Sequence, residues 1–317
     1  MISSSVDTVR YKKALVTGGA GFIGSHLCKG LVAEGLEVNV LDNLSTGKPE
    51  NLPDQAVLLR GDIRNPGDVK AALEGVDVVF HLAAKVSIRA SVDEFLEDAD
   101  QNIMGALNVL QSLKGSRVKK FLLASSMAVY ADSPDATPVP ENHSLAPASP
   151  YGVAKLAAEA YTFLVCRQLG IDALVLRYFN TYGTNQTFTP YVGVITIFTK
   201  LLLQGKVPAI FGDGCQMRDF VSVRDIVQAN ILAMKRPLTG RIYNVGTGVP
   251  HSVNQVAELL AQQINPAIQP VHQPEVAGEL KNSIASIAAI SRDLGYQPTS
   301  NLKADLGEVI QSIQSTL

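Results

Sequence analysis

The sequence predicts an α/β protein, a doubly wound parallel sheet with a smaller C-terminal lobe, and three observations predict it. Short β-branched runs alternate with helical patterns, a glycine-rich turn joins the first run to the first helix, and the alternation fades after about residue 178. The expected strands are Ala14–Thr17, Glu37–Leu41, Ala56–Leu59, Val76–Leu82, Phe121–Ala124 and Ala173–Leu176. Between them Phe22–Ala33, Val69–Leu73, Glu94–Leu113 and Gly152–Leu169 read as helices, each flanked by Gly, Pro, Ser or Asp. Residues 1–178 are thus expected to form the sheet domain and 179–317 mainly a substrate-binding lobe. Within the lobe, Val207–Phe211 and Arg241–Val245 are each candidates to return to the main sheet.

Composition narrows the classes. Of 317 residues 46% are hydrophobic and 18% charged, the balance of a lightly charged globular protein. The net charge is −2 with Lys and Arg scattered, which argues against a nucleic-acid partner. The opening stretch MISSSVDTVRYKK lacks an apolar core and no run of about 20 apolar residues follows, so neither a signal peptide, a membrane span nor a membrane partner is expected, and the cytoplasm is the default location. Cys28, Cys166 and Cys215 are far apart and read as free thiols. His26, His81, His143, His251 and His272 show no metal-site spacing, so no metal is expected.

The segment from Leu15 to Gly24 follows a strand and opens a helix, the context in which a glycine turn binds a dinucleotide. Gly18, Gly21 and Gly24 permit the tight turn and close approach, while the amides at Phe22 and Ile23 begin the helix whose N-terminus favours a pyrophosphate. Asp42 ends the second strand about twenty residues on, where a carboxylate accepts from ribose hydroxyls and repels a 2′-phosphate, so NAD is expected over NADP. Asp62 and Ile63 after the third strand, and Leu82, Ala83 and Ala84 after the fourth, fall at strand C-terminal ends where a cofactor is held. Asp62 is placed either to accept from an adenine amino group or to cap the helix before Val69.

Tyr151 and Lys155 stand four apart at the start of a helix and so share one face. A cation beside a phenol favours phenolate, and Lys155 together with the positive ring of NAD is expected to lower the Tyr151 pKa and make it a general base. Ser126, closing the fifth strand after Ser125, is the expected hydroxyl partner.

The segments TGGAGFIG, LDNLSTG, GDI, HLAA, SSMAVY, YGVAK, RYFNTYG, FGDGCQMRDFVSVRDI and NVGTG, in this order from about residue 11 to 310, resemble the extended short-chain dehydrogenase/reductases, in their NAD-dependent epimerase/dehydratase branch. The resemblance implies a Rossmann-type fold, a catalytic trio of Ser126, Tyr151 and Lys155, ribose contacts from Asp42 and Asn43, and Tyr178 near the nicotinamide. It also implies Asn180 and Arg218 at the diphosphate of a nucleotide-sugar substrate, a role their amide and guanidinium suit; Arg218 can alternatively pair with Asp219. A homodimer through the helices at Glu94–Leu113 and Gly152–Leu169 is implied as well.

Among the branch chemistries, 4,6-dehydratases place an Asp-Glu pair after the hydroxyl residue and decarboxylases a Glu, whereas Met127 and Ala128 stand here and exchange no protons. Hydride removal and return at C4 of a UDP-hexose or UDP-N-acetylhexosamine through a 4-keto intermediate, epimerisation, is the implied reaction. The alternatives are another NAD-dependent step on an activated sugar, or an NAD-binding regulator without turnover. Three positions depart from the family pattern or stand apart from it. Val276 occupies the place of an Arg before Gly278-Glu279, Lys85 directly follows HLAA, and Ser283 replaces a bulky residue that restricts the sugar pocket in some members, implying room for an N-acetyl group.

Overall fold

A computed structural model describes residues 11–86, 88–133, 135–189, 193–275 and 281–317. The first six strands are β1 (Lys13–Thr17), β2 (Glu37–Asp42), β3 (Ala56–Arg60), β4 (Val78–His81), β5 (Lys120–Ser126) and β6 (Asp172–Tyr178). Short strands follow: β7 (Asn180–Tyr182), β8 (Ala209–Phe211), β9 (Met217–Ser222), β10 (Arg241–Val245), β11 (Pro250–Ser252), β12 (Val271–Gln273) and β13 (Asn282–Ser283). The main sheet is seven-stranded in the order β10-β6-β5-β4-β1-β2-β3, and every pairing in it is parallel. Strand order reverses between β1 and β4, so a crevice opens at their C-terminal ends.

Helices cover both faces. They are α1 (Phe22–Ala33), α2 (Pro66–Ala72), α3 (Ile88–Asp93), α4 (Phe95–Ala99), α5 (Gly105–Ser112), α6 (Pro150–Leu169), α7 (Val194–Leu203), α8 (Val223–Lys235), α9 (Val253–Ile264), α10 (Ala288–Leu294) and α11 (Leu302–Gln314). Because side chains alternate along a strand, Leu122 and Ala124 of β5 enter the core shared with Leu27 and Leu31 of α1 and Ile226 of α8. Phe121 and Leu123 enter the opposite core with Val109 and Leu110 of α5 and Cys166 of α6. Two covered faces are the reason the strands read as unbroken apolar runs.

The expected helix Glu94–Leu113 is more complex than its periodicity suggests. α4 begins at Phe95, a π-helical turn spans Asp100–Met104, and α5 continues from Gly105. Of the two candidates to rejoin the main sheet, Arg241–Val245 does so beside β6. Val207–Phe211 does not, since Ala209–Phe211 pairs with β12 in a separate two-stranded sheet. A further small sheet joins β11, β9 and β13, with β7 on β9, and the lobe has its own core from α7, α9 and α11. No described helix is long and apolar enough to cross a membrane.

Candidate active site

The glycine turn is built by close approach. Gly18 sits at φ +69°, and a Cβ there would lie 2.8 Å from the Ala83 backbone; one on Gly24 would lie 2.2 Å from the Gly18 carbonyl oxygen. Only hydrogen fits at either place. Gly21 caps α1 without a side-chain hydrogen bond, so the first-turn amides are left for a ligand. Asp42, 8% exposed, accepts from the Ala20 amide at 2.9 Å and the Leu44 amide at 2.8 Å, tying the turn to the end of β2. Its carboxylate therefore shapes the cradle as well as lining it.

Across the crevice, Thr17 Oγ1 accepts from the Ala83 amide at 3.2 Å and shares a hydrogen bond of 2.8 Å with His81 Nδ1, fixing the segment from His81 to Ala84. Burial, then the charge of Lys155, push the His81 pKa down to about 3, so the ring is neutral. Asp62 does not cap α2; that role belongs to Asn65, which accepts from the Gly67 amide. The Asp62 carboxylate instead takes Arg64 Nε at 3.0 Å and Nη2 at 2.8 Å, with Asn43 Nδ2 at 3.3 Å. Those hydrogen bonds, Arg64 foremost, hold its pKa at about 2.

At the end of β5, Ser126 Oγ accepts from the Ala128 amide at 3.2 Å as a 3₁₀ turn begins. Ser149 caps α6 by accepting from the Gly152 amide, and Pro150 fills the first helical position. A Cβ on Gly152 would lie 2.3 Å from the Ala128 carbonyl oxygen, so glycine brings the start of α6 against this strand end. Tyr151 thereby reaches a hydrogen bond with Ser126, and the Lys155 Nζ lies 5.8 Å from the Tyr151 ring centre while donating to the Ala124 carbonyl at 3.0 Å.

The expected lowering of the Tyr151 pKa is not what the protein alone provides. Burial pushes the phenol well above its ordinary value, the Ser126 hydrogen bond opposes this, and the carboxylate of Asp98 adds to it. Lys155 is lowered to about 8 by burial, against the charges of Asp98 and Glu159. Desolvation is the largest cause at both groups, which are about nine-tenths or more buried.

One cavity of about 870 Å³ gathers these groups. Gly18, Gly21, Phe22, Ile23, Gly24, Asp42, Asn43, Asp62, Ile63, Leu82, Ala83, Ala84, Tyr151, Lys155 and Tyr178 all line it, as do Ser126 and Asn180. Arg218 does not. It is 7% exposed and donates to the Met217 and Lys281 carbonyls, and the alternative of an ion pair with Asp219 gives way to Asp219 accepting from Thr247, Gly248 and Ala285. Lys85 lines the cavity and pairs with Glu94 at 2.6 Å and Glu97 at 2.8 Å. Val276, Gly278 and Glu279 lie outside the described residues, and Ser283 is buried with an unpartnered Oγ. All three cysteines are free, and no cluster of metal-ligating side chains occurs among the described residues.

Two features escape a reading of local motifs. Glu159, one turn beyond Lys155, binds Arg177 of β6 and Ser125, locking α6 to the strands behind Ser126; its i+4 spacing from Lys155 was the available signal. Asp98 on α4 and Asn102 in the π turn are buried and bonded to each other, and Asn102 holds the Lys85 backbone beside the cavity, a placement no sequence periodicity encodes.

A glycine cradle at the switch point of a doubly wound sheet, with Ser, Tyr and Lys at the adjoining strand end, defines a dinucleotide-binding enzyme of the extended short-chain dehydrogenase/reductase class. The chain belongs to the NAD dependent epimerase/dehydratase family, whose sequence profile matches residues 14–246, and its cofactor is accordingly NAD. It is 37% identical over 297 residues to a putative UDP-glucose 4-epimerase of Methanocaldococcus jannaschii, covering 93% of this chain and 96% of that one. Among solved structures it resembles UDP-glucose 4-epimerase with UDP-glucose from Thermotoga maritima, at TM-score 0.91 and 38% identity over 96% of this chain and 99% of that one. UDP-glucose 4-epimerase in complex with NAD from Thermus thermophilus matches at TM-score 0.89 and 34% identity, over 96% and 100% of the two chains.

Proposed function

We propose that the protein is an NAD-dependent nucleotide-sugar 4-epimerase acting on a UDP-hexose or UDP-N-acetylhexosamine, with Ser126, Tyr151 and Lys155 as its catalytic residues. The observation that carries the reading is the hydrogen-bonded Ser126 and Tyr151 beside Lys155 in a cavity where Met127 and Ala128 follow Ser126. Neither of those side chains exchanges a proton, so the strand end after Ser126 does not supply the acid–base pair that a dehydratase carries there. The names of the relatives support the same reaction.

The glycine turn, Asp42, Asn43, Asp62, Ile63, Leu82 to Ala84 and Tyr178 hold the cofactor in this reading. Bound NAD would supply the hydride acceptor and donor for C4 of the sugar. Tyr151 takes the proton of the C4 hydroxyl, directly or through Ser126, and gives it back once the 4-keto sugar has turned over. Lys155 and the positive charge brought by the oxidised cofactor favour the phenolate that burial alone opposes. Asn180, whose Oδ1 has no partner, faces the substrate, and Arg218, outside the lining and donating to the Met217 and Lys281 carbonyls, is read as the cation for the diphosphate.

Two further readings accompany this one. Exposed Val153, Tyr161 and Leu164 make an apolar stripe on α6, and Phe95, Leu96 and Met104 another beside it; a homodimer through these helices would cover both. Three free thiols suit the reducing cytoplasm.

The test is incubation of the purified protein with UDP-glucose, UDP-galactose and their N-acetylated and uronic acid counterparts, followed by NMR. Interconversion of a C4 epimer pair without added NAD is expected. Accumulation of an oxidised sugar, or no change in any of them, rejects the reading.

A further inference from the structure

The small sheet beside the cavity carries a polar row that the cofactor site does not use. Asn180 of β7 and Phe220 of β9 are register partners, and both line the cavity. Side chains alternate along a strand, so Arg218, two residues before Phe220, lies on the same face. Asp219 between them lies on the other face, where it accepts from Thr247, Gly248 and Ala285. Arg218 is paired in register with His251 of β11 on one side and with Ser283 of β13 on the other. Register partners present their side chains to one face about 5 Å apart. His251, Arg218 and Ser283 therefore form a row across three strands that continues the face by which Phe220 meets the cavity.

Two atoms of the row have nothing to bind. Ser283 is 3% exposed and its Oγ has no hydrogen-bond partner, and His251 Nδ1 is likewise buried and unpartnered. With Asn180 Oδ1 they are three of the seven such atoms among the described residues, and all three belong to one face of this sheet. A buried polar atom without a partner is costly, and a ligand that supplies the partner removes the cost. The only carboxylate in β7, β9, β11 and β13 is that of Asp219, turned to the opposite face. A guanidinium held by the Met217 and Lys281 carbonyls, with an imidazole and a hydroxyl at its flanks, is a donor set for phosphate oxygens.

We propose that His251 and Ser283 are substrate-binding residues on either side of Arg218, with His251 Nδ1–H and Ser283 Oγ–H donating to the diphosphate oxygens of a nucleoside diphosphate sugar. The proposal rests on the reading of the substrate as a nucleotide sugar and of Arg218 as the cation for its diphosphate. It adds one donor from β11 and one from β13, so that the diphosphate is gripped from three strands and not by a single side chain.

The experiment titrates the NAD-loaded protein with UDP, dTDP and GDP by calorimetry, with the matching nucleoside, which has no phosphate, as a competitor. The wild type is expected to bind at least one of the diphosphates. Ser283→Ala and His251→Phe should each weaken that binding about tenfold or more, the loss of a hydrogen bond to a charged group, and leave the nucleoside within about twofold. His251→Asn, whose amide nitrogen reaches the place of Nδ1, should recover most of the loss. Ser283→Ala should also keep or raise the Tm of the protein without nucleotide, because it removes an unpartnered buried hydroxyl. Should His251→Phe not fold, His251→Gln takes its place, since its amide reaches the position of Nε2 and not that of Nδ1. Diphosphate affinity within about twofold of wild type in both variants, or a nucleoside weakened as much as the diphosphate, overturns the proposal, as does a wild type that binds none of the three. The epimerase reading is decided separately by turnover: a wild type that binds UDP and converts no nucleotide sugar loses that reading, while the binding losses still decide His251 and Ser283.

Discussion

Replacing Arg177 by Met tests how the site is held from behind. The guanidinium and the Glu159 carboxylate are 1% and 4% exposed, joined by bonds of 2.9 Å and 2.6 Å, and Ser125 Oγ donates to the same carboxylate at 2.5 Å. Arg177 also donates to the Glu141 carbonyl at 3.2 Å and stacks 4.7 Å from the Tyr130 ring centre. Met fills much of the volume and leaves Glu159 a buried anion with one hydroxyl donor. Removing one partner of such a pair costs about 3–5 kcal/mol, most of it the uncompensated charge. Glu159→Leu should cost a similar amount for the converse reason. The double variant removes both charges, and its loss should be smaller than either single loss, because an apolar pair of similar size is often close to neutral. Urea unfolding followed by circular dichroism at pH 7.5 measures all three. Single losses under about 1 kcal/mol, or a double loss equal to their sum, would show that the pair is not the anchor described here.

Other outcomes follow from the same geometry. Tyr151→Phe should lower turnover by about 10²–10⁴-fold or more with NAD content unchanged on purification; substantial residual turnover rejects Tyr151 as the proton-transfer group. Gly24→Ala places a methyl 2.2 Å from the Gly18 carbonyl oxygen and should weaken NAD binding at least about tenfold by calorimetry, an unchanged Kd counting against the cradle. His81 has a folded pKa of about 3, below its unfolded value, so the unfolded chain takes up the proton first on acidification. The stability it contributes is complete above about pH 6.5 and declines as pH falls toward 3; His81→Gln should lose less stability between pH 7.5 and 5, and equal losses in both proteins refute this.

The sheet and the cofactor cradle were legible in the sequence because both are local. Val16 to Gly24 is one strand, one turn and one helix start, and Gly21 and Gly24 answer to backbone within a few residues, while Gly18 and Gly19 also answer to Ala83 and Val40. Tyr151 and Lys155 were legible for the same reason, as a single helical turn. The ionisation of Tyr151 was not, since it depends on desolvation by elements distant in sequence and on Asp98, which a π turn and a separate helix bring in. Asp62 was read from its place after β3, and it lines the cavity; that Arg64, two residues on, and Asn43 would share its carboxylate was not legible there. Val207–Phe211 failed as a main-sheet strand because three β-compatible residues do not specify a partner, and β12 was too short and exposed to announce itself.

The seventh strand carries a consequence for where this chain can be cut. β10 pairs with β6 from more than sixty residues downstream, and α8 lays Ile226, Ala229 and Ala233 over the core that α1 shares with the sheet. A fragment ending at residue 178 would keep every residue of the glycine turn and the Ser126, Tyr151 and Lys155 trio. It would also present the bare edge of β6 and an uncovered apolar face on α1, the two features that invite aggregation. The cofactor-binding half and the lobe are therefore separable on paper at a single peptide bond but interlaced as folded matter, and a minimal NAD-binding piece of this protein must carry residues 223–245 along with it.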